Sequence, residues 1–159
     1  MSVYKSTMKL IGIVTCIQEV TVSGTVYTKL AGMLIRLADN ADNNKVLTLD
    51  PMGTSTNMKC TGKSMDLTKA ERIIQISEQF GSNVTSMIGI DTSLVNNVVF
   101  GKKRTASGFV IESRVFLEDF PLVGLMAYQK SDSTVASVGF ITADLKCVNS
   151  YETGSAPAS

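Results

Sequence analysis

Three stretches of this chain share one shape: an alternating segment, a short polar turn, and a second apolar segment that contains a glycine. They are EVTVSGTVYTKLAGMLIRL (Glu19 to Leu37), IIQISEQFGSNVTSMIGIDTS (Ile73 to Ser93) and LVGLMAYQKSDSTVASVGFIT (Leu122 to Thr142). Their starts lie about fifty residues apart, a spacing that marks a repeated supersecondary unit. Alternation of period two suits a half-buried strand, because successive side chains point to opposite faces. The pattern predicts a threefold pseudo-repeat of β-hairpins. Further strand signals are KLIGIVTC, KVLTL, NVVFG and GFVIESRVF, separated by the polar clusters ADNADNNK (Ala38 to Lys45) and GKKRTASG (Gly101 to Gly108). Many short strands between turn clusters describe an all-β sandwich, barrel or prism.

The stretch from Glu71 to Ser93 is where a helix competes. Thr68 followed by Glu71 is a capping-box pattern, and Gly81 stands where a helix would stop. Leu67, Ala70 and Ile74 keep helical spacing, but Ser77 and Glu78 break that stripe; Ile73, Ile76 and Phe80 form a second, narrower one. Strand spacing fits better. Ile74, Ile76 and Phe80 share one face, β-branched isoleucines favour the pleat, and Val84, Ser86, Ile88 and Ile90 alternate beyond Gly81. The reading is strand, turn, strand, folded over Gly81.

Composition narrows the class. The 159 residues suit one domain large enough to bury a core. Hydrophobic residues make up 44% and charged residues 18%, which argues for a folded chain with a quiet surface. A net charge of +1 suggests neither nucleic acid nor an anionic membrane as partner. No apolar run approaches the ~18 residues of a membrane span. Lys5 and Lys9 precede LIGIV, which falls short of a signal-peptide core of roughly 7–15 apolar residues. The expectation is a chain that is cytoplasmic as written, or secreted if already processed. Residues 1–148 read as a single domain and 149–159 as a flexible polar tail.

Cys16, Cys60 and Cys147 have no short spacing, and there is no histidine, so no metal site is expected. They read as three core thiols, with a disulfide between two of them as the alternative. Without histidine the usual serine or cysteine triads are excluded. Glu112 and Glu118 are the candidate carboxylate pair for glycoside chemistry, yet acids on or beside a strand are ordinarily surface charges. No enzyme and no cofactor are expected. TGKS (Thr61 to Ser64) resembles a P-loop tail but has Asn57 where glycine is required, and reads as a turn. The Asp-Asn run near Asp39 lacks the calcium-loop pattern at Ala41 and Asn44. Lys102, Lys103 and Arg104 form a basic knob that reads as a solvated hairpin tip, and Asn83-Val84-Thr85 is a glycosylation sequon, meaningful in a secreted chain.

From Gln18 to Thr142 the chain resembles the jacalin-related lectins, most clearly after Leu67. Glu71, Ile73, Ile76, Gly81, Ser86 and Met87 are similar to the family's central strand-turn-strand, while Ala70 and Gly89 depart from its Gly and Phe. VVFGKK is similar to its Phe-Gly step. Leu122 to Leu125 and Ser137 to Gly139 resemble the closing hairpin. The resemblance implies a β-prism of three four-stranded Greek-key sheets with pseudo-threefold symmetry.

It also implies where a ligand would sit. Sugar-binding members use a Gly-x-x-x-Asp loop at one end of the prism, often completed by an N-terminal glycine. In this chain Asp132 falls at the Gly position and Ala136 at the Asp; the corresponding loops run from Gly24 to Thr28 and from Gly81 to Thr85, and the first glycine is Gly12. A hydrogen bond to an ionised group contributes roughly 1.5–3 kcal/mol against about 0.5–1.5 for a neutral one. The conventional monosaccharide site is therefore expected to be lost. Ser131, Asp132, Ser133, Gly24, Gly81 and Asn83 are the candidate ligand-binding residues. The expected function is a lectin-type module binding a glycan or another ligand at this end. The alternative is a structural subunit using the fold for homo-oligomer or protein contacts, to which eight methionines and apolar segments are suited.

Overall fold

A computed structural model describes residues 5, 7–39, 45–48, 58–129 and 134–153; for 45–48, 129 and 150–153 it describes the backbone only. The three predicted hairpins are present. The first pairs β1 (Met8–Val22) with β2 (Thr25–Asp39), the second β5 (Ile73–Gly81) with β6 (Val84–Thr92), and the third β9 (Leu122–Gln129) with β10 (Val135–Thr142). The remaining strands are β3 (Lys45–Thr48), β4 (Met58–Ser64), β7 (Val98–Gly101) and β8 (Val110–Val115). Two four-stranded antiparallel sheets repeat one order, β3-β2-β1-β4 and β7-β6-β5-β8. In each, the fourth strand returns beside the first, which is a Greek key. The third hairpin is a two-stranded sheet among the described residues.

The first two turns are tight, and chemistry explains them. Ser23 and Gly24 both have positive φ, as do Ser82 and Asn83, which is what two-residue type I′ hairpins require. The second turn therefore lies one position beyond Gly81, the last residue of β5. Gly81 has a different constraint: a Cβ there would stand 2.4 Å from the Gly108 carbonyl oxygen, so the start of β8 packs directly on its backbone.

The helix-like spacing of Ile73 and Ile76 has a structural cause. The β5–β6 register shifts between Ile73 and Gln75, a bulge that turns both isoleucines, three positions apart, toward the core. The Thr68–Glu71 capping box does not form, because the cap sits two residues earlier. Asp66 accepts from the Thr68 N–H at 3.1 Å and caps a single 3₁₀ turn, Leu67–Lys69, which ends because Ala70 adopts a left-handed φ of 51°.

The second strands of the hairpins, β2, β6 and β10, touch one another pairwise. Leu30, Met33 and Ile35 from β2 meet Ile88 and Ile90 from β6 and Val135 and Val138 from β10 in one core. Phe116 and Phe140 close it edge to face, with ring centroids 5.8 Å apart.

Two expectations are corrected. Cys16 and Cys60 are not free thiols: they sit opposite each other in the β1–β4 ladder and form a disulfide, while Cys147 is free and exposed. Residues distant along the chain become neighbours through strand register, which leaves no spacing signal. The segment from 149 is not all tail, because α1 (Leu145–Thr153) runs into it. Asp144 starts this helix by accepting from the Lys146 N–H at 3.0 Å, and the Leu145 N–H donates to the Asp119 carbonyl at 3.0 Å. Residues 154–159 lie outside the described residues. No helix among the described residues is long and apolar enough to cross a membrane.

Candidate functional site

Inter-hairpin contacts bring the first two hairpin turns and the start of β10 to one end of the molecule. Thr28, just past the first turn, donates its hydroxyl to the Ser86 carbonyl at 2.8 Å and accepts from the Lys102 N–H at 2.7 Å. Thr85, just past the second turn, donates to Glu78 Oε1 at 2.7 Å and stands 3.3 Å from the carbonyl of Ala136 in β10. Glu78 Oε1 also accepts from the Val138 N–H at 3.1 Å. Thr28 and Thr85 thus stitch neighbouring sheets together, and they are 2% and 0% exposed. Threonine at these positions serves the fold, and its hydroxyl is closed to any external ligand.

Gln79 extends the network. Its Oε1 accepts from the Arg104 N–H at 2.7 Å and from the Ser86 hydroxyl at 2.9 Å, and its Nε2 donates to the Arg104 carbonyl at 2.7 Å. This double bond to one backbone unit fixes the β7–β8 loop. Arg104 is then held between two rings, its guanidinium carbon 4.2 Å from the Tyr27 centroid and 4.7 Å from that of Phe109. Its Nε is buried with no hydrogen-bond partner among the described residues. The basic knob is therefore split: Lys102 and Lys103 are exposed, whereas Arg104 is clamped.

Burial raises the Glu78 carboxyl above the ordinary range; the bonds from Thr85 and Val138 oppose this, and Glu112, directly across on β8, adds to it.

The predicted site residues separate. Gly24 and Asn83 occupy the two exposed turn tips, while Gly81 is covered on one side by the Gly108–Phe109 backbone. Ser131, Asp132 and Ser133 lie outside the described residues. Asp91, near the end of β6 and an acid that could serve a displaced site, accepts from the Asn97 N–H at 2.5 Å. Glu112 and Glu118 do not form a pair aimed at one cleft: Glu112 on β8 stands opposite Glu78 on β5, and Glu118 lines a cavity at the opposite end. Thr61 to Ser64 run within edge strand β4, and Lys63 is bound to Glu71 at 2.9 Å. No group of three or more Cys, Asp or Glu able to hold a metal occurs among the described residues. Arg104 and Phe109 share the β7–β8 loop, but Tyr27 comes from β2, so the trio carried no joint signal in the sequence.

No family model matches the sequence, and no curated protein matches it. Among solved structures, the chain is similar to one described as the crystal structure of PirB, with 14% identity and a TM-score of 0.56. The match covers 84% of this chain and 28% of that one, so this chain spans little more than a quarter of its length. At that identity the likeness concerns the fold alone.

Proposed function

We propose that this chain is a non-enzymatic binding module on a jacalin-like β-prism, that its ligand contacts the hairpin-turn end, and that the ligand is an acidic glycan rather than a neutral monosaccharide. Two Greek keys of equal order and the mutual contact of β2, β6 and β10 support the prism. The observation that carries the ligand class is Arg104, clamped between Tyr27 and Phe109 beside exposed Lys102 and Lys103. A rigid guanidinium forms charge-assisted hydrogen bonds with carboxylate or sulfate at little entropic cost. The buried Thr28 and Thr85 hydroxyls, by contrast, offer nothing to a neutral sugar. Disulfides persist in oxidising compartments, so the Cys16–Cys60 bond favours a secreted working form.

A glycan array at low and high salt tests this. Uronate-containing or sulfated glycans bind, salt weakens them, and Arg104→Gln lowers affinity about tenfold, as loss of one charge-assisted bond predicts. Methyl mannoside and methyl galactoside give no measurable heat. Tight neutral-sugar binding, or acidic-glycan binding indifferent to Arg104, refutes the assignment.

A second reading, a self-associating structural subunit, is favoured by exposed Val110, Ile111 and Val115 along edge strand β8. Stable oligomers in analytical ultracentrifugation, with no glycan bound, would select it.

A further inference from the structure

The end opposite the hairpin turns is built differently. There the three hairpins begin, and a cavity of about 380 Å³ opens among their first residues. Its floor is apolar: Leu10 and Leu37 come from the first hairpin, Ile73 from the second, Leu122 from the third, and Leu145 from α1. That volume lies at the small end of the roughly 300–1,000 Å³ range of ligand pockets, which are mainly apolar with a few placed polar groups.

The polar groups at this cavity are Lys9, Glu71, Arg72 and Glu118. Glu71 brings no free charge, since its oxygens accept from the Lys63 ammonium, the Asp66 N–H and the Thr92 hydroxyl. Lys9, Arg72 and Glu118 are all exposed, so the unpaired charge at the mouth is positive by one. Arg72 is also preorganised. Its backbone N–H donates to the Ser93 hydroxyl at 3.1 Å, its carbonyl accepts from the Ser93 N–H at 2.9 Å, and one Nη1 hydrogen is fixed on the Phe116 carbonyl at 3.0 Å. A guanidinium has five N–H donors. The rest have no partner among the described residues and stand beside an apolar chamber.

We infer that this cavity is a second binding site, for a small apolar acid such as a medium-chain carboxylate, with the head group on Arg72 and Lys9 and the tail against Leu10, Ile73 and Leu122. The apolar floor supplies affinity through burial, and the cationic rim selects an anionic head over a neutral or cationic one.

Titration calorimetry with decanoate tests the site, with decanol and decyltrimethylammonium as head-group controls. Decanoate binds one per chain, and decyltrimethylammonium binds at least tenfold more weakly. Arg72→Gln reduces decanoate affinity about tenfold. Leu117→Glu, at a mouth residue 61% exposed and so harmless to folding, reduces it similarly by adding a negative charge. Arg104→Gln leaves it unchanged, which separates this site from the hairpin-turn end. Absence of decanoate binding, equal affinity for the cationic control, or binding that survives both Arg72→Gln and Leu117→Glu overturns the inference.

Discussion

Two buried carboxylates in the same stretch of chain, Glu71 and Glu78, are 5% and 6% exposed and yet titrate in opposite directions. Burial raises both. At Glu71, beside the basal cavity, that effect is overcome by bonds from Thr92, Lys63 and the Asp66 N–H, and the Lys63 charge adds to them, so the carboxyl lies below the ordinary range. At Glu78, near the hairpin turns, one hydroxyl and one N–H do not outweigh burial, and Glu112 repels the charged form. The donors oppose burial at both carboxyls, and the set that includes the Lys63 ammonium is the one that prevails.

The largest expected effect comes from removing the well-compensated member. Glu71→Ala strips the buried partner from Lys63, Thr92 and the Asp66 N–H and is expected to destabilise by about 3 kcal/mol, measured by urea unfolding at neutral pH. Because the folded-state value of Glu71 is depressed, its contribution is present above the ordinary carboxyl range and lost as pH falls through the depressed value. A variant as stable as wild type would mean that Lys63 and Thr92 find equivalent partners.

Thr28→Val sharpens the contrast at the other end. It leaves the Lys102 N–H and the Ser86 carbonyl without their shared hydroxyl and should cost about 1–3 kcal/mol. Urea unfolding measures the loss, and titration calorimetry should show no change in decanoate affinity, since Thr28 does not line the basal cavity. A loss below about 0.5 kcal/mol would show that this inter-sheet stitch is dispensable.

The smallest effect should carry the opposite sign. The folded-state value of Glu78 is raised, so its contribution is fullest at low pH and declines as pH rises from the ordinary carboxyl range through the raised value. Glu78→Gln keeps an acceptor for Thr85 and Val138 but carries no charge. It should raise the neutral-pH melting temperature slightly and flatten stability across that window. Destabilisation at neutral pH with the pH slope unchanged would show that the folded-state value of Glu78 is not raised.

The three hairpins were readable because period-two alternation reports directly on which face each side chain takes. The all-β class followed from the same pattern. The exact turn was misplaced by one residue, since Gly81 carries a turn signal but is required by the approach of Gly108, while Ser82 and Asn83 bear the positive φ. The Asp144 cap of α1 was present in the sequence, but the polar residues after Val148 masked it.

What remained was decided by tertiary structure. The Cys16–Cys60 bond depends on the β1–β4 register, the clamping of Arg104 on Tyr27 of β2 reaching the loop that holds Arg104 and Phe109, and the basal cavity on the convergence of three strand starts with α1. Local pattern determines the elements because it acts through neighbours in the chain. Disulfide partners, stacked cations, cavity walls and the donors around a buried carboxylate come from residues distant in sequence, and only the packed fold brings them within reach.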